Sequence, residues 1–192
     1  MANRRGILFW LGLVSLGAVG VAASDGDGDR NGTRSGWLTS RADVAPVTNA
    51  TYGEECGSCH LAYQPGLLPA QAWTQVMDPA ALADHYGDDA SLTETLRAEI
   101  AGYLLAQAAD QASAPRSRAF AVGFDAHAGT GLPRITERRY FERKHDDVPA
   151  SLVTSNPDVG SFSQCNACHR GAAKGVYNDS RIDIPGYGRW ED

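Results

Sequence analysis

The chain has 192 residues, with 17 Lys and Arg against 23 Asp and Glu and a net charge of −6. That balance argues against a nucleic-acid binder, which needs a basic footprint, and 43% hydrophobic residues argue against a wholly disordered chain. Five Phe and two Met are few for this length, so something besides side chains is expected to fill the interior.

Arg4 and Arg5 precede an apolar run over 6–23 that ends at Val21-Ala22-Ala23, followed at once by SDGDGD. A short basic start, an apolar stretch and small residues at its end make a cleavable export signal over 1–23. A run of about 18 residues is also the lower limit for crossing a bilayer, so an uncleaved anchor is the competing reading. Arg4-Arg5 is too little for a twin-arginine signal. Without residues 1–23 the charges are 15 positive and 23 negative, so an acidic exported protein of the periplasm is expected. Residues 24–50 read as a flexible acidic linker. Asp27-x-Asp29-x-Asn31-Gly32 opens like a calcium loop, but Leu38 stands at the twelfth position, where a bidentate Glu is required, so the loop does not close.

Residues 51–192 form the folded domain. Pro69 suits the first helical position of AQAWTQVM. PAALADHY makes a second short segment ending at Gly87. The clearest helix begins at Ser91, with Glu94 completing a capping box, and Leu92, Leu96, Ile100, Tyr103 and Leu104 mark one face. Residues 112–133, rich in Gly, Ala, Ser and Pro, read as a connector. TERRYFERKH is helical again, and SFSQCNACHRGAA gives a last short helix before a tail with Pro185 and Gly186. The fold class is mostly α, with short helices, long loops and little or no sheet.

Two pentapeptides carry the chemistry: Cys56-Gly57-Ser58-Cys59-His60 and Cys165-Asn166-Ala167-Cys168-His169. C-x-x-C-H is the attachment motif of c-type haem, the thiols forming thioethers with the vinyl groups and the His ligating iron. Together they use all four cysteines. A disulfide or a redox C-x-x-C needs no following His. A Cys₄ zinc site leaves both His unexplained, and four free thiols suit an oxidising compartment poorly. Two covalent haem c groups are therefore expected, one in a half spanning about 51–111 and one in a half spanning about 134–187. They would supply the missing interior volume.

The sixth position of each iron decides between ligand chemistry and electron transfer. His85, His127, His145 and Met77 are the candidates. His145 follows Phe141 by four residues, so both share a helix face. His127 sits among small residues in DAHAGTG, and Met77, four after Trp73, is equally suited to core packing. Arg134, Arg138, Arg139, Arg143 and Lys144 concentrate positive charge before His145. They make a solvated helix face, partners for haem propionates or a docking patch. Trp37, Trp73 and Trp190 read as core or pocket aromatics.

The stretches Tyr52-Gly53-Glu54-Glu55-CGSCH-LAYQPGLLP, Trp73-Thr74-Gln75-Val76-Met77, HYGDDASL at 85–92, RITERRYFERKHDDVPA at 134–150 and NPDVGSFSQCNACHRGAAKG at 156–175 resemble the small periplasmic dihaem cytochromes c. The resemblance runs from about 50 to 187, with Tyr86 where Phe is more usual. It implies two low-spin haems with two His ligands each, His60 and His169 on one side and His85 and His145 as the distal ligands. Which distal His serves which haem does not follow from sequence; local pairing, His60 with His85 and His145 with His169, is the expectation. The resemblance also implies an electron carrier rather than an enzyme, serving a membrane b-type cytochrome and a small oxygen-binding haem protein. The alternatives are a haem-bearing subunit of a periplasmic oxidoreductase or a gas-binding module with one open iron, and five His for four ligand places favour the carrier.

Overall fold

A computed structural model describes residues 41–125 and 131–190. The expected export signal, the calcium-like loop, Trp37, His127 and most of the linker lie outside the described residues. The linker's last part does not: residues 41–50 are built into the domain. The Asp43 and Val44 amides both donate to the Gly175 carbonyl (2.8 and 3.1 Å), the Asp43 carboxylate accepts the Tyr177 amide at 2.7 Å, and Val44 is fully buried. Gly175 permits this because its φ is +69°, and a β-carbon there would land on the Val44 carbonyl. The acidic composition that suggested a tether is thus used locally, by an Asp satisfying backbone donors.

Helix α1 (Ala50–Gly57) begins where the Asn49 side chain accepts the Tyr52 amide proton at 2.6 Å, satisfying one of the amides a helix start leaves bare. Helix α2 (Ala70–Val76) starts one residue later than expected, with Pro69 as its cap and the Asp110 carboxylate accepting the Ala70 amide proton at 2.9 Å. Helix α3 (Pro79–Ala83) is capped by Asp78 and stops short of Gly87. His85 and Asp88 exchange backbone hydrogen bonds at 2.7 and 3.2 Å, with Tyr86 at φ 57° and Gly87 at φ 106°. That turn ends the helix and leaves His85 on a loop. Helix α4 (Glu94–Ala106) starts after Thr93, whose hydroxyl accepts the Leu96 amide proton. Ser91 lies outside the helix instead, its amide donating to the Asp89 side chain at 2.9 Å. Glu94 pairs with Arg97 instead of reaching back. Along α4, Ile100 and Leu104 are fully buried and Leu92, Leu96 and Tyr103 half-buried, as the apolar spacing predicts. Ile100, Leu104, Leu92 and Tyr103 pack with Tyr52, Trp73, Val76, Met77 and Leu82 in one core.

A second core joins distant parts of the chain: Val44, Leu67, Ala109, Phe120, Phe141, Ala172 and Tyr177. Phe120 belongs to α5 (Pro115–Ala121), a helix inside the stretch expected as a connector. Its proline occupies the first turn, where a missing amide costs nothing, and its inward face is only Ser117 and Phe120, too thin an apolar stripe to show as periodicity. Helices α6 (Arg139–His145) and α7 (Cys165–Cys168) follow. A hairpin of β1 (Asp183–Ile184) and β2 (Gly188–Arg189) is the one sheet among the described residues, so the fold is mostly α.

Candidate haem-binding sites

The first C-x-x-C-H motif lies where α1 ends, and the second is α7 with His169 as its C-cap. None of the four cysteines forms a disulfide. Among the described residues no three His, Cys, Asp or Glu side chains converge on a metal position, so the Cys₄ zinc arrangement is not assembled. Burial, then the neighbouring Glu55 carboxylate, pushes the Cys56 thiol up to about 11. Burial pushes Cys165 up to about 11 as well. A redox-active C-x-x-C has the opposite character, a thiol pushed toward thiolate.

The histidines come together in the local pairs. The His60 and His85 rings face each other with centroids 6.3 Å apart and planes 17° apart. The His145 and His169 centroids are 6.1 Å apart, with planes at 75°. Two imidazole nitrogens each about 2 Å from one metal, with each ring centre about 1 Å behind its nitrogen, separate the centres by about 6 Å. Both gaps therefore fit a metal held between two imidazoles. Burial, and then the facing ring, lower the pKa of His85 and bring His169 down to about 4, which keeps both rings in the neutral form that ligates.

The rings are steadied differently. His60 Nδ1 lies 2.7 Å from the Leu61 carbonyl and His145 Nδ1 lies 2.9 Å from the Phe141 carbonyl. A carbonyl only accepts, so in both rings Nδ1 carries the proton and Nε2 offers its lone pair. Tyr63 stacks on His60 at 4.9 Å, and Phe141 stacks on His145 at 3.9 Å. The Nδ1 atoms of His85 and His169 are buried and have no hydrogen-bond partner.

Around the second pair opens a cleft of about 960 Å³, counted out to its open mouth and lined by Phe141, Phe162, Cys165, Trp190, Arg116 and Lys144 among others. It is apolar and aromatic with two cations, the composition that suits a planar apolar ring with acidic substituents. Lys144 pairs with Asp179 at 3.6 Å and Arg116 with Asp43 at 3.6 Å. Arg116 was not legible as a site residue, since nothing in PRSRAFA marks it. Of the other basic residues before His145, Arg134, Arg139 and Arg143 stay exposed and one turns inward. Arg138 is buried and donates to the Phe120 and Val122 carbonyls at 3.3 and 3.2 Å. Arg134 lies 4.4 Å over the Tyr86 ring and Arg143 lies 5.3 Å over Tyr140. Met77 is buried in the first core and is not brought to either pair. Trp73 is buried there too, donating its indole proton to the Pro65 carbonyl at 2.8 Å.

Among the comparisons with known proteins, residues 52–177 match the dihaem cytochrome c family. The chain belongs to that family. Among solved structures it is similar to the new dihaem cytochrome type c from Shewanella baltica OS155 (42% identity, 74% of this chain and 98% of that one, TM-score 0.60). It is likewise similar to dihaem cytochrome c from Rhodobacter sphaeroides (40% identity, 70% and 100%, TM-score 0.58). None of the curated proteins matches the chain. As a dihaem cytochrome c it carries two covalently bound haem c groups, and the interior left by its few Phe and Met residues is accounted for.

Proposed function

We propose that this dihaem cytochrome is a periplasmic one-electron carrier in which one iron sits between His60 and His85 and the other between His145 and His169. The observation that carries the reading is the pair of facing imidazoles, 6.3 and 6.1 Å between ring centres, each spaced for one metal with both axial positions filled by protein. Bound there, the haems supply reversible one-electron chemistry, at potentials kept low by the lack of a Met thioether ligand.

The chain's residues do the holding. Cys56 and Cys59, and Cys165 and Cys168, carry the thioether bonds. His60 and His145 present Nε2 because their Nδ1 protons are engaged by backbone carbonyls. Phe141 and Phe162 exclude water from the second site, and Arg116 and Lys144 stand at its wall to offset propionate charge. With both axial positions taken by histidine no place is left for a substrate, and this favours a carrier over a haem enzyme. Among the described residues no helix is long and apolar enough to cross a membrane. The export signal over 1–23 supports a periplasmic place. The net negative charge supports partners with basic docking patches; the resemblance suggests a membrane b-type cytochrome and a small oxygen-binding haem protein among them.

Low-temperature EPR of the oxidised holoprotein tests the ligand reading. Two low-spin signals of equal intensity are expected, and a high-spin signal from either haem in the resting protein would overturn it.

A further inference from the structure

Each of the four axial histidines can be asked what holds its ring in place. His60 and His169 follow directly on a haem-bearing cysteine, so covalent attachment keeps each within reach of its metal. His60 also donates Nδ1–H to the Leu61 carbonyl. His145 has no such neighbour, but it ends helix α6, donates to the Phe141 carbonyl and lies face to face with the Phe141 ring. His85 has none of these supports. It follows no cysteine, it lies outside any helix, and its buried Nδ1 finds no acceptor.

The loop that carries His85 is nonetheless fixed. Its main chain is tied to Asp88, and the next residue, Tyr86, donates its phenol proton to the Pro133 carbonyl at 2.5 Å and lies under Arg134. Tyr86 holds the turn at a positive φ that a tyrosine adopts only when its surroundings impose it. The backbone is pinned, whereas the imidazole makes no hydrogen bond through Nδ1 and is held by an edge contact with the Tyr86 ring at 4.7 Å, so the ring can swing about its own side-chain bonds without unfolding anything. A ligand imidazole whose second nitrogen donates to no acceptor is also a weaker base toward its metal.

From this we infer that His85 is a displaceable ligand and that in the reduced protein the first haem takes up a small neutral π-acceptor, carbon monoxide or nitric oxide, while the second stays closed. The Nε2–iron bond breaks, the diatomic's bond to iron forms in its place, and no electron changes hands. The inference rests on the two-histidine reading of both sites.

Carbon monoxide titration of the dithionite-reduced holoprotein tests it, followed in the Soret band after EPR of the oxidised sample. The expected uptake is one carbon monoxide per chain. The observed rate should level off as gas concentration rises, because release of His85 comes first. In His85→Ala the uptake stays at one, the same haem being open already, and the rate rises linearly. In His145→Ala, which opens the second haem by mutation, it becomes two. This second variant keeps the test alive should the first not accumulate. No uptake by the wild type, its oxidised EPR showing two low-spin haems, overturns the inference and leaves the ligand reading standing. Two equivalents in His85→Ala, or only one in His145→Ala, would assign the displaceable position to the second haem, and two in wild type would make both haems displaceable; each outcome overturns the inference. High-spin EPR in the oxidised wild type instead defeats the ligand reading itself.

Discussion

The two histidine pairs differ in ring angle, 17° in one and 75° in the other, and the difference has a spectroscopic consequence. Parallel imidazoles donate into the same iron d orbital and split it from its neighbour, whereas perpendicular rings donate one into each and keep the two close in energy. The oxidised protein should therefore give a rhombic low-spin signal from the first site and a far more anisotropic, nearly axial one from the second. His85→Ala should remove only the first of these and His145→Ala only the second, each with a high-spin signal in its place. Loss of the same signal in both variants would mean that His85 and His145 do not serve separate haems. Away from iron, the residue with most at stake is Gln64. It is fully buried, donates to the Ala172 carbonyl at 2.7 Å and accepts from the Tyr177 hydroxyl at 2.5 Å. Gln64→Leu strands two buried polar groups, which cost about 1–3 kcal/mol each when left unpaired. Urea unfolding of the holoprotein should show a loss of about 2–6 kcal/mol at unchanged m-value.

At the scale of elements, the N-terminal end of α4 shows what sequence could and could not give. The apolar face from Leu92 to Leu104 was legible because spacing alone specifies it. The start was not, because Ser91 and Thr93 are both acceptable caps; Thr93 takes the role, while the Ser91 amide donates to the Asp89 side chain. Helix α5 was hidden for a related reason: Ala, Ser and Arg fill PRSRAFA, and its buried face emerges only when Phe120 meets the second core. The turn at His85 depends on a hydrogen-bonded bridge and a positive φ at Tyr86, and the residue type announces neither. This same region has a pH signature. Hydrogen bonds from Ser91 hold the Asp89 carboxyl below the ordinary range, and Arg97 does the same for Glu94. A carboxyl whose folded pKa is depressed stabilises the fold above its unfolded value, about pH 4, and loses that contribution as pH falls through the folded one. Both groups are exposed, so the effect is small. The urea midpoint should decline below about pH 4, and Glu94→Gln should decline less.

Over the whole molecule, the net charge of −6 is joined by the haem propionates, and the exposed Arg134, Arg139, Arg143 and Lys144 make a local basic stretch on that acidic surface. Electron exchange with a small cationic complex should slow several-fold between low and about 0.5 M ionic strength, and exchange with an anionic one should quicken; stopped-flow rates insensitive to salt would contradict an acidic docking surface. The two covalent haems were legible because C-x-x-C-H is a local code. The way the two halves share a core was not, because Val44, Leu67 and Tyr177 meet only through tertiary structure. The seating of Asp43 and Val44 on residues 175–177 has one more consequence. These partners are 134 positions apart at Tyr177, and a contact between distant positions bears the entropy of closing the whole intervening loop. Asp43 and Val44 can therefore be seated only after the second C-x-x-C-H has been synthesised. Until then both cysteine pairs belong to an open chain, within reach of whatever attaches the haems.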